Sequence, residues 1–98
     1  MPGELVRWAG RLDGPRSFKG GYFYGWVEVK SDLIQPESAV MASVSEADDA
    51  GERFPGDTVI VVGAIVPYAG GAHVQIGTDS LGPWPVSLAI TLLVIRPG

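Results

Sequence analysis

The sequence predicts an all-β domain, either a sandwich or a barrel built from six short strands. Stretches of β-branched and aromatic residues alternate along the chain with turns that contain glycine and proline. No segment of ten or more residues carries the apolar stripe of an amphipathic helix. The clearest strand is segment 86–95, whose ten residues include no charge, glycine or proline.

Segment 86–95 has one face that suits a hydrophobic core. Side chains alternate between the two faces of a strand, so residues two apart share a face. The even-numbered positions are all large and apolar, namely Val86, Leu88, Ile90, Leu92 and Val94. The opposite face begins with small and polar residues but ends with Leu93 and Ile95. Because a strand buried on one side only would not carry these two residues on its back, we expect them to meet another surface.

Five further strands are predicted before this one, at 5–12, 22–29, 39–44, 58–66 and 72–78, with an acidic loop at 45–57. Alternation predicts a core face for three of them, formed by Val6, Trp8 and Leu12, by Val40, Ala42 and Val44, and by Ala72, Val74, Ile76 and Thr78. His73, Gln75 and Gly77 would then point outward.

Two of these strands leave their orientation open. In 22–29, Tyr22, Tyr24 and Trp26 share a face that is either an exposed aromatic platform with Glu28 or part of the interior. Segment 58–66 is apolar on both faces, with Ile60, Val62, Ala64 and Val66 on one and Val59, Val61 and Ile65 on the other. Such runs are typical of strands buried on two sides.

The two-faced strands predict self-association. If the even-numbered residues fill the core, Val59, Val61, Leu93 and Ile95 lie on the far side. Four such side chains left in water would create an adhesive patch, and closed assemblies of identical subunits remove patches of this kind. We therefore predict a homo-oligomer with these four residues in its interface.

Composition narrows the class of protein. The chain has 98 residues and is expected to form one domain, 1–98, because two units would be too small for separate cores. It has no cysteine, which excludes disulfides and thiolate metal sites, and its net charge of −4 disfavours nucleic acid as a partner. We expect neither a signal peptide nor a transmembrane segment, and an extracellular or virion-surface location is compatible with these features.

The sequence contains no catalytic signature, so an enzyme is not predicted. Motifs such as G-x-S-x-G, H-E-x-x-H or a phosphate-binding loop are absent. His73 is the single histidine and has no second histidine or cysteine to complete a metal site. Asp48 and Asp49 lie in the acidic loop without the D-x-D-x-D-G spacing of a calcium loop. We expect no cofactor and no metal.

The order of features in segment 36–95 resembles the H-type lectin domain. It comprises P-E-S-A-V-M-A-S-V at 36–44, an acidic loop, a long strand, a hairpin with proline and glycine, an Asp79–Ser80 corner and the terminal strand V-S-L-A-I-T-L-L-V-I. The resemblance implies a six-stranded antiparallel β-sandwich that assembles as a trimer and binds sugars in clefts between subunits. Similar small trimeric sandwiches occur in phage tails and capsids.

The resemblance also implies a sugar site. Asp79 and Ser80 match the corner residues of the family, and Trp84, held between two prolines, can stack on a sugar ring or cap the core. With the outward His73 and Gln75 they form the predicted ligand-binding set.

Two functions follow from the sequence. The first is a carbohydrate- or receptor-binding module. The alternative is a structural virion or assembly protein, such as a capsid decoration or tail component, that uses the same trimeric sandwich for protein–protein contacts.

Overall fold

The computed structural model describes residues 3–12, 17–56, 58–79 and 86–97, with the backbone alone at 17–19, 23 and 86. The strands are β1 (Gly3–Leu12), β2 (Ser17–Lys19), β3 (Tyr22–Lys30), β4 (Ala39–Glu46), β5 (Ile60–Tyr68), β6 (Gly71–Thr78) and β7 (Val86–Ile95). No helix occurs in these ranges. The prediction of an all-β protein is confirmed for the part of the chain that the structure describes.

The strands form two antiparallel sheets. One has the order β1-β7-β4 and the other the order β2-β3-β6-β5. Six strands of eight to ten residues, three in each sheet, correspond to the six predicted ones, and β7 has the predicted bounds. The additional β2 has three residues and pairs with the start of β3. So short a strand carries no readable alternation in the sequence.

One hydrophobic core joins the inner faces of the two sheets. In the middle of its sheet, β7 buries Leu88, Ile90, Leu92 and Val94 almost completely. In the facing sheet, β6 buries Ala72, Val74, Ile76 and Thr78 in the same way. Val6 and Trp8 of β1, together with Val40, Ala42 and Val44 of β4, pack against this core. The predicted core faces of these four strands are therefore confirmed, apart from Val86, whose side chain lies outside the described residues.

Strand β5 differs from the prediction in its position and in its alternation. It is an edge strand of its sheet, and Val62 and Val66 are exposed, so the prediction of burial on both faces is wrong. Val62 pairs with Ile76 and Ile65 with Val74, so that two residues of β5 face one residue of β6. This β-bulge inserts one residue and reverses which side chains point inward.

The reversal changes the assignment of Val66. Ile65 packs against the core, whereas Val66 is 48% exposed on the outer face. The expectation that Val66 shares a face with Ile60 is therefore wrong. Its physical cause is the bulge, which the apolar run from Ile60 to Val66 does not reveal because both of its faces are hydrophobic.

The acidic loop forms a strap, residues 47–53, across the outer face of the β1-β7-β4 sheet. Ala47 and Arg53 pair as an antiparallel bridge. The Arg53 guanidinium donates hydrogen bonds to the hydroxyls of Ser45 and Thr91, at 3.1 and 2.8 Å. Cavities of about 390 and 540 Å³ flank the strap.

The bulge can be tested with a pair of valines on adjacent strands. Val74→Ala is expected to lower the free energy of unfolding by about 2 kcal/mol, because it removes two fully buried methyl groups. Val66→Ala is expected to cost about 0.5 kcal/mol, because nearly half of this residue's surface is already in water. Urea denaturation measures both. Equal losses for the two variants would contradict the reversed alternation.

Candidate functional site

The outer face of the β2-β3-β6-β5 sheet carries a row of three aromatic side chains, Tyr22, Tyr24 and Trp26, which we call the aromatic row. They occupy alternate positions of β3, opposite to the buried Val27 and Val29. Trp26 is 46% exposed, and both tyrosines are partly exposed. Of the two orientations that the sequence left open, the structure has the outward one.

A glycine in the neighbouring strand shapes this face. Gly77 of β6 lies between Tyr24 of β3 and Val61 of β5 in the paired strands. A Cβ atom at Gly77 would lie 2.7 Å from a ring carbon of Tyr24 and 2.7 Å from a methyl group of Val61. The absence of a side chain therefore allows both neighbours to close over β6 and to form a continuous surface.

Polar side chains gather beyond Trp26 around one carboxylate. The Tyr68 hydroxyl donates a hydrogen bond of 2.8 Å to Glu28 Oε2. Lys30 Nζ lies 3.8 Å from Glu28 Oε1, and His73 Nε2 lies 3.9 Å from Glu28 Oε2. The rings of Tyr68 and His73 pack with their centroids 5.0 Å apart. We call these four residues the Glu28 cluster.

The contacts of the Glu28 cluster shift two pKa values in opposite directions. The hydrogen bond from Tyr68 is the main cause that lowers the pKa of Glu28, and the positive charges of Lys30 and protonated His73 lower it further. The same hydrogen bond raises the pKa of Tyr68, because the hydroxyl must keep its proton to donate. Glu28 is thus a carboxylate at neutral pH, and it faces solvent as a hydrogen-bond acceptor.

Two of the predicted ligand-binding residues lie on the outer face of the β2-β3-β6-β5 sheet, and Asp79 lies at the end of β6. His73 and Gln75 both lie on the outer face of β6, and Gln75 is paired with Trp26. The Gln75 side-chain oxygen accepts a hydrogen bond of 3.2 Å from the Ala64 amide at the bulge, so half of its amide group is already engaged.

The other predicted ligand residues belong to the Asp79–Ser80 corner and the loop after it. Asp79 Oδ1 accepts a hydrogen bond of 3.1 Å from the Val59 amide, and the Asp79 amide donates one of 3.3 Å to the Val59 carbonyl. Asp79 thereby extends the pairing of β5 with β6. Ser80 and Trp84 lie outside the described residues.

The sequence pattern placed Glu28 beside the aromatic residues but missed Tyr68, which donates the hydrogen bond to it. Tyr68 falls in the turn between the predicted strands 58–66 and 72–78, but in the structure it is the last residue of β5 and is aligned with Gly71. Glu28, His73 and Tyr68 meet because β3, β6 and β5 are neighbours in a particular register. Alternation within a single strand carries no information on that register.

The outer face of the other sheet carries an apolar row. Leu5, Leu93 and Met41 are aligned across β1, β7 and β4, and Ile95 follows on the same face. Leu5 is 54% and Met41 57% exposed. The four predicted interface residues therefore lie on two surfaces, because Leu93 and Ile95 belong to this sheet and Val59 and Val61 to the other.

Other kinds of site receive no support from the described residues. Within the described ranges, no three His, Asp or Glu side chains come together in a way that could hold a metal ion. In the strap, Asp48 Oδ1 instead accepts hydrogen bonds of 2.9 Å from the amides of Ala50 and Glu52. The described part of the chain contains no helix of the length and hydropathy that crossing a membrane requires.

Removal of the Tyr68 hydroxyl tests the electrostatics of the Glu28 cluster. In Tyr68→Phe, the pKa of Glu28 is expected to rise toward its ordinary value, which carboxyl-carbon NMR titration measures. Because the pKa of Glu28 is lower in the folded state, the hydrogen bond from Tyr68 stabilises the folded protein at pH values above the unfolded-state pKa of Glu28. This stabilisation is lost as the pH falls through the folded-state pKa. Tyr22→Phe is the matched control, because it removes a tyrosine hydroxyl at the start of β3, away from Glu28, and should leave the pKa of Glu28 unchanged. An unchanged pKa in Tyr68→Phe would contradict the assignment.

No family model, curated protein or solved structure matches this chain. The resemblance to H-type lectins therefore stays a prediction drawn from the order of sequence features. Evidence on function comes from the chemistry of the two outer faces, the aromatic row with the Glu28 cluster on one and the apolar row on the other.

Proposed function

We propose that this chain is a carbohydrate-binding module, not an enzyme, and that it works as a homo-oligomer. The observation that carries the proposal is the aromatic row next to the Glu28 cluster. A pyranose ring has apolar C–H groups on its faces and hydroxyls around its rim. Exposed aromatic rings beside fixed hydrogen-bonding groups offer contacts to both parts of such a ligand.

The Glu28 cluster supplies the polar contacts. An ionised carboxylate accepts hydrogen bonds from sugar hydroxyls, and such charge-assisted bonds are shorter and stronger than neutral ones. Lys30 adds a donor, and His73 presents ring nitrogens. Because Tyr68 holds Glu28 in place, less rotational freedom is lost when a ligand binds.

The aromatic row is our preferred site over the corner implied by the H-type lectin resemblance. At that corner, one carboxylate oxygen of Asp79 is already occupied by the Val59 amide. The resemblance would instead place the sugar in a cleft between subunits near Asp79, Ser80 and Trp84. Mutation of Trp26 and mutation of Asp79 therefore distinguish the two candidate sites.

The apolar row supports the proposal of self-association. Leu5 and Met41 are a little more than half exposed, so their burial in an interface contributes roughly 1–1.5 kcal/mol each. Identical subunits usually assemble into closed symmetric rings, and the lectin resemblance favours a trimer. Since the aromatic row belongs to the opposite sheet, such an assembly leaves it accessible and presents several copies to a multivalent ligand.

The exposed apolar residues also favour a second function, a structural virion or assembly protein such as a capsid decoration or tail component. Large hydrophobic side chains are exposed on both sheets, with Leu5 and Met41 on one and Val66 on the other. Contacts with protein on both faces would cover them, without any sugar.

Carbohydrate binding can be tested on a glycan array, with titration calorimetry on the glycans that bind. Trp26→Ala is expected to weaken binding about tenfold, as the loss of one stacking contact predicts. The matched control is Phe54→Ala, which removes a ring that is 42% exposed next to β4 of the other sheet. If Asp79→Ala weakens binding and Trp26→Ala does not, the site is at the corner. A wild-type protein that binds no glycan favours the structural alternative.

Self-association can be tested by light scattering after size exclusion. The wild-type protein is expected to run as an oligomer. The Leu93→Glu variant is expected to run as a monomer, because it places a charge in the apolar row of every subunit. Val66→Glu, which places the same charge on the other sheet, is expected to remain assembled. A monomeric wild type at micromolar concentration would contradict the proposal.

A further inference from the structure

The aromatic row is longer than a single sugar. Alternate residues of a strand lie about 6.6–6.8 Å apart, so three of them span about 13 Å. The ring centroids of Tyr22 and Tyr24 are 6.3 Å apart, in agreement with this spacing. One pyranose can stack on one of these rings, and a ligand that uses all three must contain several sugars in line.

The rings of the row are not coplanar. The planes of Tyr22 and Tyr24 are inclined to each other by 55°. A flat, rigid surface such as the face of a polysaccharide crystal cannot lie against both rings at once. A single flexible chain can rotate about its glycosidic bonds from one ring to the next, and it can follow the right-handed twist of the strand.

On the β6 side, the described residues leave no pocket beside the row. The Tyr24 ring and Val61 close over Gly77, and the Tyr68 hydroxyl lies over Gly71. The cavities of about 390 and 540 Å³ flank the strap on the other sheet. A chain that enters and leaves the site at both ends therefore fits this face better than a terminal sugar, which is usually held in a pocket.

The charges near the row favour a neutral ligand. Glu28 is ionised and lies two residues from Trp26 on the same face of β3. Lys30 Nζ lies 3.8 Å from this carboxylate, so the charges of Lys30 and Glu28 largely offset each other. An acidic polysaccharide would bring carboxylates or sulfates toward Glu28, against a net protein charge of −4.

We infer that the ligand is a single chain of a neutral oligosaccharide that lies along β3, with consecutive sugars over Tyr22, Tyr24 and Trp26 and with hydroxyls of one sugar bonded to the Glu28 cluster. This inference rests on the proposed carbohydrate-binding function and specifies its ligand class. Sugars linked through equatorial bonds are the best fit, since their chains are extended and expose apolar faces along their length.

The test is titration calorimetry with two series of increasing length, glucose to cellohexaose and N-acetylglucosamine to chitohexaose. In at least one series, affinity is expected to rise with each added sugar until the row is covered. The hexasaccharide of that series is expected to bind at least about tenfold more tightly than the monosaccharide. A trimer of galacturonate is expected to bind more weakly than the neutral trimers. Particles of crystalline cellulose and chitin are expected not to sediment the protein.

Single variants locate the chain on the row. Trp26→Ala, next to the Glu28 cluster, is expected to weaken binding of short and long oligomers alike. Tyr22→Ala, at the far end, is expected to weaken the hexamer about tenfold and to leave the dimer unchanged. Phe54→Ala is the control that should change neither.

The outcomes separate this inference from the proposed function. A monosaccharide that binds as tightly as the hexamer, equal effects of Tyr22→Ala at every length, or sedimentation by crystalline particles would each overturn the extended chain while leaving carbohydrate binding in place. If neither series binds and the glycan array is also blank, the proposed function itself fails.

Discussion

Strand β7 lies between β1 and β4, and the burial of its even-numbered side chains organises the rest of the structure. Leu88, Ile90, Leu92 and Val94 are almost inaccessible to water and meet the inner face of the other sheet. Each contributes roughly 1.5–3 kcal/mol, so a shift by one residue would expose the whole set. That constraint sets which face of β1 and of β4 points inward, because paired residues of neighbouring strands share a face.

A consequence of this constraint is that each sheet presents its remaining face to the surroundings. The two outer faces have different chemistry. The β1-β7-β4 sheet exposes the apolar row and is crossed by the strap, which Arg53 ties to hydroxyls of β4 and β7. The other sheet exposes the aromatic row and the Glu28 cluster. A division of this kind allows one surface to serve assembly and the opposite surface to serve recognition, which is the basis of the proposed function.

Two local irregularities shape the outer face of the β2-β3-β6-β5 sheet. The bulge at Gly63 and Ala64 turns Val66 outward beside His73, and the Gln75 side chain bonds to the freed amide of Ala64. At Gly77, the missing side chain lets Tyr24 and Val61 close over β6. Both features involve residues of small volume, whose role becomes visible only when the partner strand is known. Bulges are common where a sheet presents a functional surface.

The sequence alone predicts the class of fold, the approximate positions of six strands and most of the core. These properties depend on alternation and on turn residues, which act over a few neighbouring positions. It also predicts that Tyr22, Tyr24 and Trp26 share a face, since they are two residues apart, and that Leu93 and Ile95 lie opposite the core face of β7. The bounds of β5, which lies two residues later than predicted, and its bulge were not readable, because the residues from Ile60 to Val66 carry no polar alternation.

Which face of β3 points outward, and which side chains of different strands meet, depends on how the strands pack together. The aromatic row is exposed because Val27 and Val29, on the other face of β3, are the ones that enter the shared core. Glu28, His73 and Tyr68 converge because of the order and the register of β3, β6 and β5. Order and register are set by packing between segments far apart in the chain, where the alternation of one strand is compatible with many partners.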